Sequence, residues 1–256
     1  MIENNKEEFD VLTFQFEMLG VDEIARDVSS KLDKSVKEIY SVGAKLSQEE
    51  LSEINTVLDT LQNYPIFVVD NTGTRLEIKD TIIHYINQNK LIERKKGLVV
   101  TLDHTLLVKT IEGEGEKETI DGLYHTLVAL KKYISALGGK ILFFVLSQLN
   151  RNIETTERIK DPRLHYPNKN DLFGASSVYH SSDYVLVVHR PCLIEGLGNW
   201  YGPRRQNWDS GLPVFSPDDP SVPMIYLHAI KERFGSNRII AMLDDLKHSK
   251  IIEYNF

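Results

Sequence analysis

Residues 97–103 (GLVVTLD) and 141–146 (ILFFVL) run one apolar side chain after another with almost no polar alternation. A strand with one wet face alternates apolar and polar residues. A strand without that alternation is covered on both faces, which is the condition of strands in parallel sheets. Parallel neighbours need a crossover connection, usually a helix. Between the two runs, Leu123, Leu127, Leu130, Ile134 and Leu137 recur at helical spacing, and Gly138-Gly139 then stops the helix. The fold class expected is α/β, with a mostly parallel sheet covered by helices on both faces.

The rest of the chain extends this pattern. Residues 11–16, 65–69, 183–189 and 224–230 read as strands, with a closing stretch around 239–243. Residues 18–32 read as a helix carrying Val21, Ile24, Ala25 and Val28 on one face. Ser47 and Glu50 form a capping box ahead of Leu51, Ile54, Leu58 and Leu61, and Thr74 and Glu77 form a second that opens a helix to about residue 95. Residues 191–223, rich in Gly, Pro, Trp and Asp, read as an irregular excursion. No internal repeat or linker is visible, so residues 1–256 are expected to form a single domain.

Composition narrows the function classes. The 256 residues are 41% hydrophobic, enough for one substantial core, and the formal charge of −7 argues against a surface coated with basic nucleic-acid contacts while leaving room for a local basic lining. A single cysteine, Cys192, removes any disulfide framework or multi-cysteine metal site and reads as an inert thiol. The apolar runs are too short to span a bilayer, and the acidic start MIENNKEEFD is no signal peptide, so a reducing cytoplasm is expected. His180, His189 and His228 show no metal-ligand spacing.

In open α/β sheets, ligands sit at the carboxyl ends of the strands. Glu17 follows the first strand, Asp103 ends the third, Ser147-Gln148 ends the fourth, and Lys231-Glu-Arg233 follows the last region. Two acids and an amide in that register suit a nucleoside triphosphatase: Asp103 to hold Mg²⁺ directly or through water, Glu17 to polarise the attacking water, Gln148 to contact the γ-phosphate. Taken singly, an acid at a strand end is more often a turn or cap residue, and a Lys-Glu-Arg run is more often a solvated charge cluster.

FQFEM at 14–18, LVVTLDHTLL at 98–107, LSQLNR at 146–151, DLFGASSVYHSSDYVLVVHR at 171–190 and AIKERFG at 229–235 resemble, in order and spacing, the successive motifs of the RecA-like motor domain of DnaB-type replicative helicases, including phage-encoded ones. LSQLNR is the most specific of these. The resemblance implies a RecA-like P-loop NTPase sheet and ATP with Mg²⁺ as nucleotide and cofactor. It also implies a homohexameric ring moving on single-stranded DNA beside other replication proteins. Catalytic roles fall on Glu17, Asp103 and Gln148, and Lys231 and Arg233 reach the neighbouring subunit's nucleotide. Asn150 and Arg151 lead toward a DNA-facing segment containing Phe173, Gly174, Ala175 and Ser176.

The sequence departs from that family in two places. No G-x-x-x-x-G-K-[ST] occurs in it, and Lys34-Ser35 is preceded by no glycine-rich turn. In the family this loop lies upstream of the strand at 11–16, together with the first core strand. The expectation is therefore a motor domain truncated on its N-terminal side, which hydrolyses ATP poorly by itself. Its strands at 141–146 and 184–189 would face a gap, which they close on each other, a local segment fills, or another chain supplies. The second departure is DLFGAS where the family commonly reads D-L-R-E-S-G, so Phe173 stacks on a base or packs internally. His104 stands where the family often has tyrosine and is expected to be structural. Trp200 to Arg205 reads as a loop anchored by its aromatics, with contact to single-stranded DNA or a neighbouring subunit as the alternative. A non-catalytic RecA-like DNA-binding or helicase-accessory protein is the competing reading.

Overall fold

The structure, a computed structural model, describes residues 5–17, 20–41, 43, 46–203 and 211–255. The chain divides into two compact units, residues 1–148 and 149–256.

The first unit is built on a four-stranded parallel sheet, β1 (Phe9–Gln15), β2 (Ile66–Val69), β3 (Gly97–Asp103) and β4 (Ile141–Val145), in the order β2-β1-β3-β4. The two unalternating runs become β3 and β4, with β3 at the centre. Leu98, Val100 and Leu102 point to one face with Leu12 and Phe14. They pack on Ile78, Ile82 and Ile86 of α4 (Arg75–Gln88) and on Leu123, Leu127, Leu130 and Ile134 of α5 (Glu116–Ala136). At about 25 cal/mol per Å² of apolar surface, this layer is the main source of the unit's stability. On the opposite face the hydroxyls of Thr101 and Thr13 bond at 2.5 Å. The outer strands are more open: Phe67 and Val68 on β2, and Leu142 and Phe144 on β4, are exposed.

The remaining helices are α1 (Gly20–Leu32), α2 (Val36–Tyr40) and α3 (Gln48–Gln62). Both capping boxes form as expected, at Ser47/Glu50 and Thr74/Glu77, and a third joins Ser35 to Glu38. Lys34-Ser35 is therefore a helix start, with Lys34 paired to Glu50. Helix α4 ends at Gln88 rather than near 95, because Asn89 caps it and Lys90 and Lys95 adopt positive φ. Helix α5 ends where Gly138 takes φ 80°, a conformation that favours glycine, and the Gly139 amide returns to the Ile134 carbonyl at 3.0 Å.

The second unit carries α6 (Thr156–Lys160), α7 (Ala175–Ser181), β5 (Tyr184–His189), the short pair β6 (Trp200–Tyr201) and β7 (Leu212–Pro213), β8 (Met224–Glu232), β9 (Arg238–Asp245) and β10 (Lys250–Tyr254). Its main sheet has the order β10-β9-β8-β5 and is antiparallel throughout. The excursion is less peripheral than its composition suggests. Its Tyr201, Leu212 and Val214 are buried with Met224, Tyr226 and Ala241 in this unit's core.

Among the described strands, β4 pairs with β3 alone and β5 with β8 alone. Within its own unit, no other described strand pairs with either. On β5, Tyr184, Leu186 and Val188 are exposed while Val185 and Val187 are buried.

Candidate active site at the carboxyl rim of the parallel sheet

Parallel register brings three strand ends to one level. Gln15 lies opposite Asp103, and Leu102 opposite Val145. Beyond the last rungs, the Phe16 amide donates to the Asp103 carbonyl at 3.0 Å, Leu146 to Leu102 at 3.0 Å, and Thr105 to Leu146 at 3.1 Å. The Thr105 hydroxyl donates to that of Ser147 at 3.5 Å. These backbone links fasten the segments bearing Glu17, Asp103 and Gln148 side by side. Glu17 and Gln148 are exposed and Asp103 is partly buried.

His104 lies within this rim. Its Nε2 is 3.5 Å from a Glu17 carboxylate oxygen, its side chain is mostly buried, and its Nδ1 has no partner among the described residues. Gln15, at the end of β1, is buried and donates through Nε2 to Glu23 of α1. Sequence reasoning passed over Gln15. The available signal was its place in FQFEM, two residues before Glu17 and so on the same side of a strand.

Asp103, Glu17 and the carbonyl oxygen of Gln15 are hard donors of the kind Mg²⁺ takes. Among the described residues the rim acids do not converge into a ready three-ligand cluster.

Lys231 and Arg233, in the second unit, are both engaged by one segment. Lys231 Nζ donates to the carbonyl of Tyr179 and lies 4.9 Å from the centre of the Tyr179 ring. Arg233 pairs with Asp183 at 2.5 Å, and its amide donates to the Asp183 carbonyl at 3.0 Å.

The residues proposed to meet DNA are organised by Asn150. Its backbone amide donates to Asp171 at 2.7 Å, its side-chain amide to the Asn170 carbonyl at 2.6 Å, and its Oδ1 accepts from Asn152 at 3.1 Å. Leu149 bridges Leu172 in antiparallel fashion. Leu149 and Asn150 thus clamp residues 170–172. Asp171, almost fully buried, is ion-paired with Arg158, which also donates to the carbonyls of Leu164 and Tyr166 at 2.8 and 2.9 Å. Beyond the clamp, Phe173 is partly buried, Gly174 takes φ 70°, α7 begins at Ala175, and Arg151 and Ser176 are exposed.

Tyr201 anchors the aromatic loop. Its hydroxyl sits 2.6 Å from His189 Nδ1 and 2.8 Å from His228 Nε2, so these histidines serve a buried hydrogen-bonded chain. Burial, with a smaller contribution from the Arg158 charge, pushes the His189 pKa down to about 4. Burial likewise raises the Cys192 thiol, which keeps it in its less reactive protonated form. Arg204 and Arg205 lie outside the described residues.

The parallel sheet with its helices has the architecture of RecA-like helicase ATPase domains. The sequence profile of the DnaB-like helicase C-terminal domain matches residues 1–201, and the chain belongs to that family. Among solved structures it is similar to a DnaB-like replicative helicase described with its interactions with primase. The TM-score is 0.71 and identity 15%, covering 97% of this chain and 51% of that one. It is also similar to a second solved structure, described as an ATPase domain, with TM-score 0.73 and identity 14%, covering 98% of this chain and 76% of that one. The chain thus spans about half the length of the first. No curated protein sequence matches it. Among the described residues no helix is long and apolar enough to cross a membrane.

Proposed function

We propose that this chain is the motor domain of a replicative DNA helicase, in which ATP hydrolysis at the interfaces of a hexameric ring drives movement along single-stranded DNA and unwinding of the duplex. The observation that carries the reading is the side-by-side fastening of the segments bearing Glu17, Asp103 and Gln148 at the carboxyl rim of a parallel sheet, in a chain of the DnaB-like helicase family. Mg²⁺, when bound, neutralises charge developing on the transferred phosphoryl group. Asp103 holds that cation, directly or through water. Glu17, kept near His104, orients and polarises the attacking water, and Gln148 registers the γ-phosphate. Lys231 and Arg233 leave their cis partners to neutralise the neighbouring subunit's nucleotide. The clamp built by Asn150 presents Phe173, Gly174, Ala175 and Ser176, with Arg151, to DNA.

These 256 residues contain no glycine-rich phosphate loop. The reading therefore has residues 1–256 act as one motor domain only once a strand and such a loop complete it, and by themselves they hydrolyse little ATP. The test joins the chain to an upstream strand carrying a G-x-x-x-x-G-K-T loop and measures ATPase activity with and without single-stranded DNA. Glu17→Gln is expected to lower the rate by roughly 10²–10⁴-fold, and Gln148→Ala to abolish stimulation by DNA. Full DNA-stimulated activity in both variants overturns the reading.

The missing loop motif favours a second reading, a non-catalytic accessory subunit. Binding of DNA or of a helicase without any binding of nucleotide, in both the original and the completed chain, decides for it.

A further inference from the structure

Gln15 is only 7% exposed, yet among the described residues its Oε1 has no hydrogen-bond partner. The orientation of its amide is chemically fixed. Nε2 donates to the Glu23 carboxylate, and a flipped amide would set Oε1 against that negative charge. Oε1 therefore faces away from Glu23. It borders Gly20, where even an added Cβ would come no nearer than 3.9 Å. The pleat puts Gln15 on the same face as its register partner Asp103, on the rim that also holds the unpartnered Nδ1 of His104. A buried carbonyl of this kind is stable when a donor reaches it, and the strongest small donor that fits beside a carboxylate is water polarised by a divalent cation.

We propose that Gln15 is a positioning residue of the divalent-cation site, its Oε1 accepting a hydrogen bond from a water held by the cation at Asp103. The proposal rests on the reading of Asp103 as the cation-binding residue. It makes Glu23 an indirect participant, because Glu23 sets the direction of the Gln15 amide.

The test uses the full chain and Mn²⁺ as the probe. Paramagnetic broadening of the Gln15 side-chain amide and the Asp103 backbone amide is followed by NMR, alongside Mn²⁺ affinity by electron paramagnetic resonance. The wild type is expected to broaden at both positions, and Asp103→Asn to lose this. Gln15→Leu should weaken Mn²⁺ binding several-fold. The exchanged pair Gln15→Glu with Glu23→Gln, which keeps a hydrogen bond between the two positions and offers a charged oxygen in the same direction, should tighten it. A purely structural glutamine gives no tightening. If Asp103→Asn abolishes binding while both Gln15 variants match the wild type, this inference falls and the assignment of Asp103 stands. If Asp103→Asn leaves binding intact, the assignment of Asp103 falls and the inference with it. The exchanged pair remains decisive if Gln15→Leu does not fold.

Discussion

Asn150 holds the turn before Asp171 by two routes, donating from its backbone to the Asp171 carbonyl at 2.7 Å and from its side chain to the Asn170 carbonyl at 2.6 Å. Asn150, in the most family-specific motif of the sequence, therefore has a structural use within the second unit. Replacing the side chain tests how much of the turn depends on it.

Asn150→Ala removes that side-chain bond and the cap on Asn152, and is expected to cost about 1–2 kcal/mol. Hydrogen exchange should locate the effect, with the amides of residues 168–172 exchanging faster while those of the parallel sheet are unchanged. Uniform loss of protection across the chain would contradict a local clamp.

The pair beneath this turn should matter more. Asp171 and Arg158 are both largely buried, so deleting one partner strands the other in a poorly solvated site. Arg158→Leu or Asp171→Asn is expected to destabilise by roughly 3–5 kcal/mol. The double variant should recover part of that loss, giving a coupling energy readable from urea unfolding.

Acid should weaken the second unit through His189. In the unfolded chain this ring protonates near its ordinary value of 6.5, but in the folded protein only near 4. Between those limits the unfolded state binds more protons, so stability from this group is present in full above about pH 7 and declines as pH falls toward 4. The expected loss is on the order of 2–3 kcal/mol. Urea titrations across that window should give a slope that His189→Gln flattens. Tyr201→Phe, which leaves two imidazole nitrogens without their shared hydroxyl, should cost about 1–3 kcal/mol at neutral pH.

The Arg233–Asp183 pair is expected to behave differently, because the arginine is half exposed. Asp183→Asn should change the unfolding free energy by less than about 1 kcal/mol. In a completed ring the same change should tighten nucleotide binding at the interface, since the guanidinium no longer has to leave a partner. Unchanged nucleotide affinity would argue against Arg233 acting in trans.

Much of the parallel unit was legible in the sequence because its signals are local. Unbroken apolar runs marked β3 and β4, and Ser47, Glu50, Thr74 and Glu77 marked two helix starts. What was illegible depends on distant pairing. The antiparallel sheet of β5, β8, β9 and β10 joins segments whose periodicity does not reveal their direction, and β10 was not anticipated. Tyr201 and Leu212 sit among glycines and prolines, so their burial follows from tertiary packing. At the rim, strand ends pointed to Glu17, Asp103 and Gln148. Gln15 was missed because its place in FQFEM gives only the side of the strand it shares with Glu17, and the structure is needed to reveal an orphaned oxygen.

The strand β4, with sequence ILFFV, has neither charge nor proline and has a described neighbour on one side only. A bare apolar margin of this kind is a template for any extended segment that meets it. As its concentration rises, the isolated chain is therefore inclined to turbidity and fibrillar association, beginning at Phe143 and Phe144.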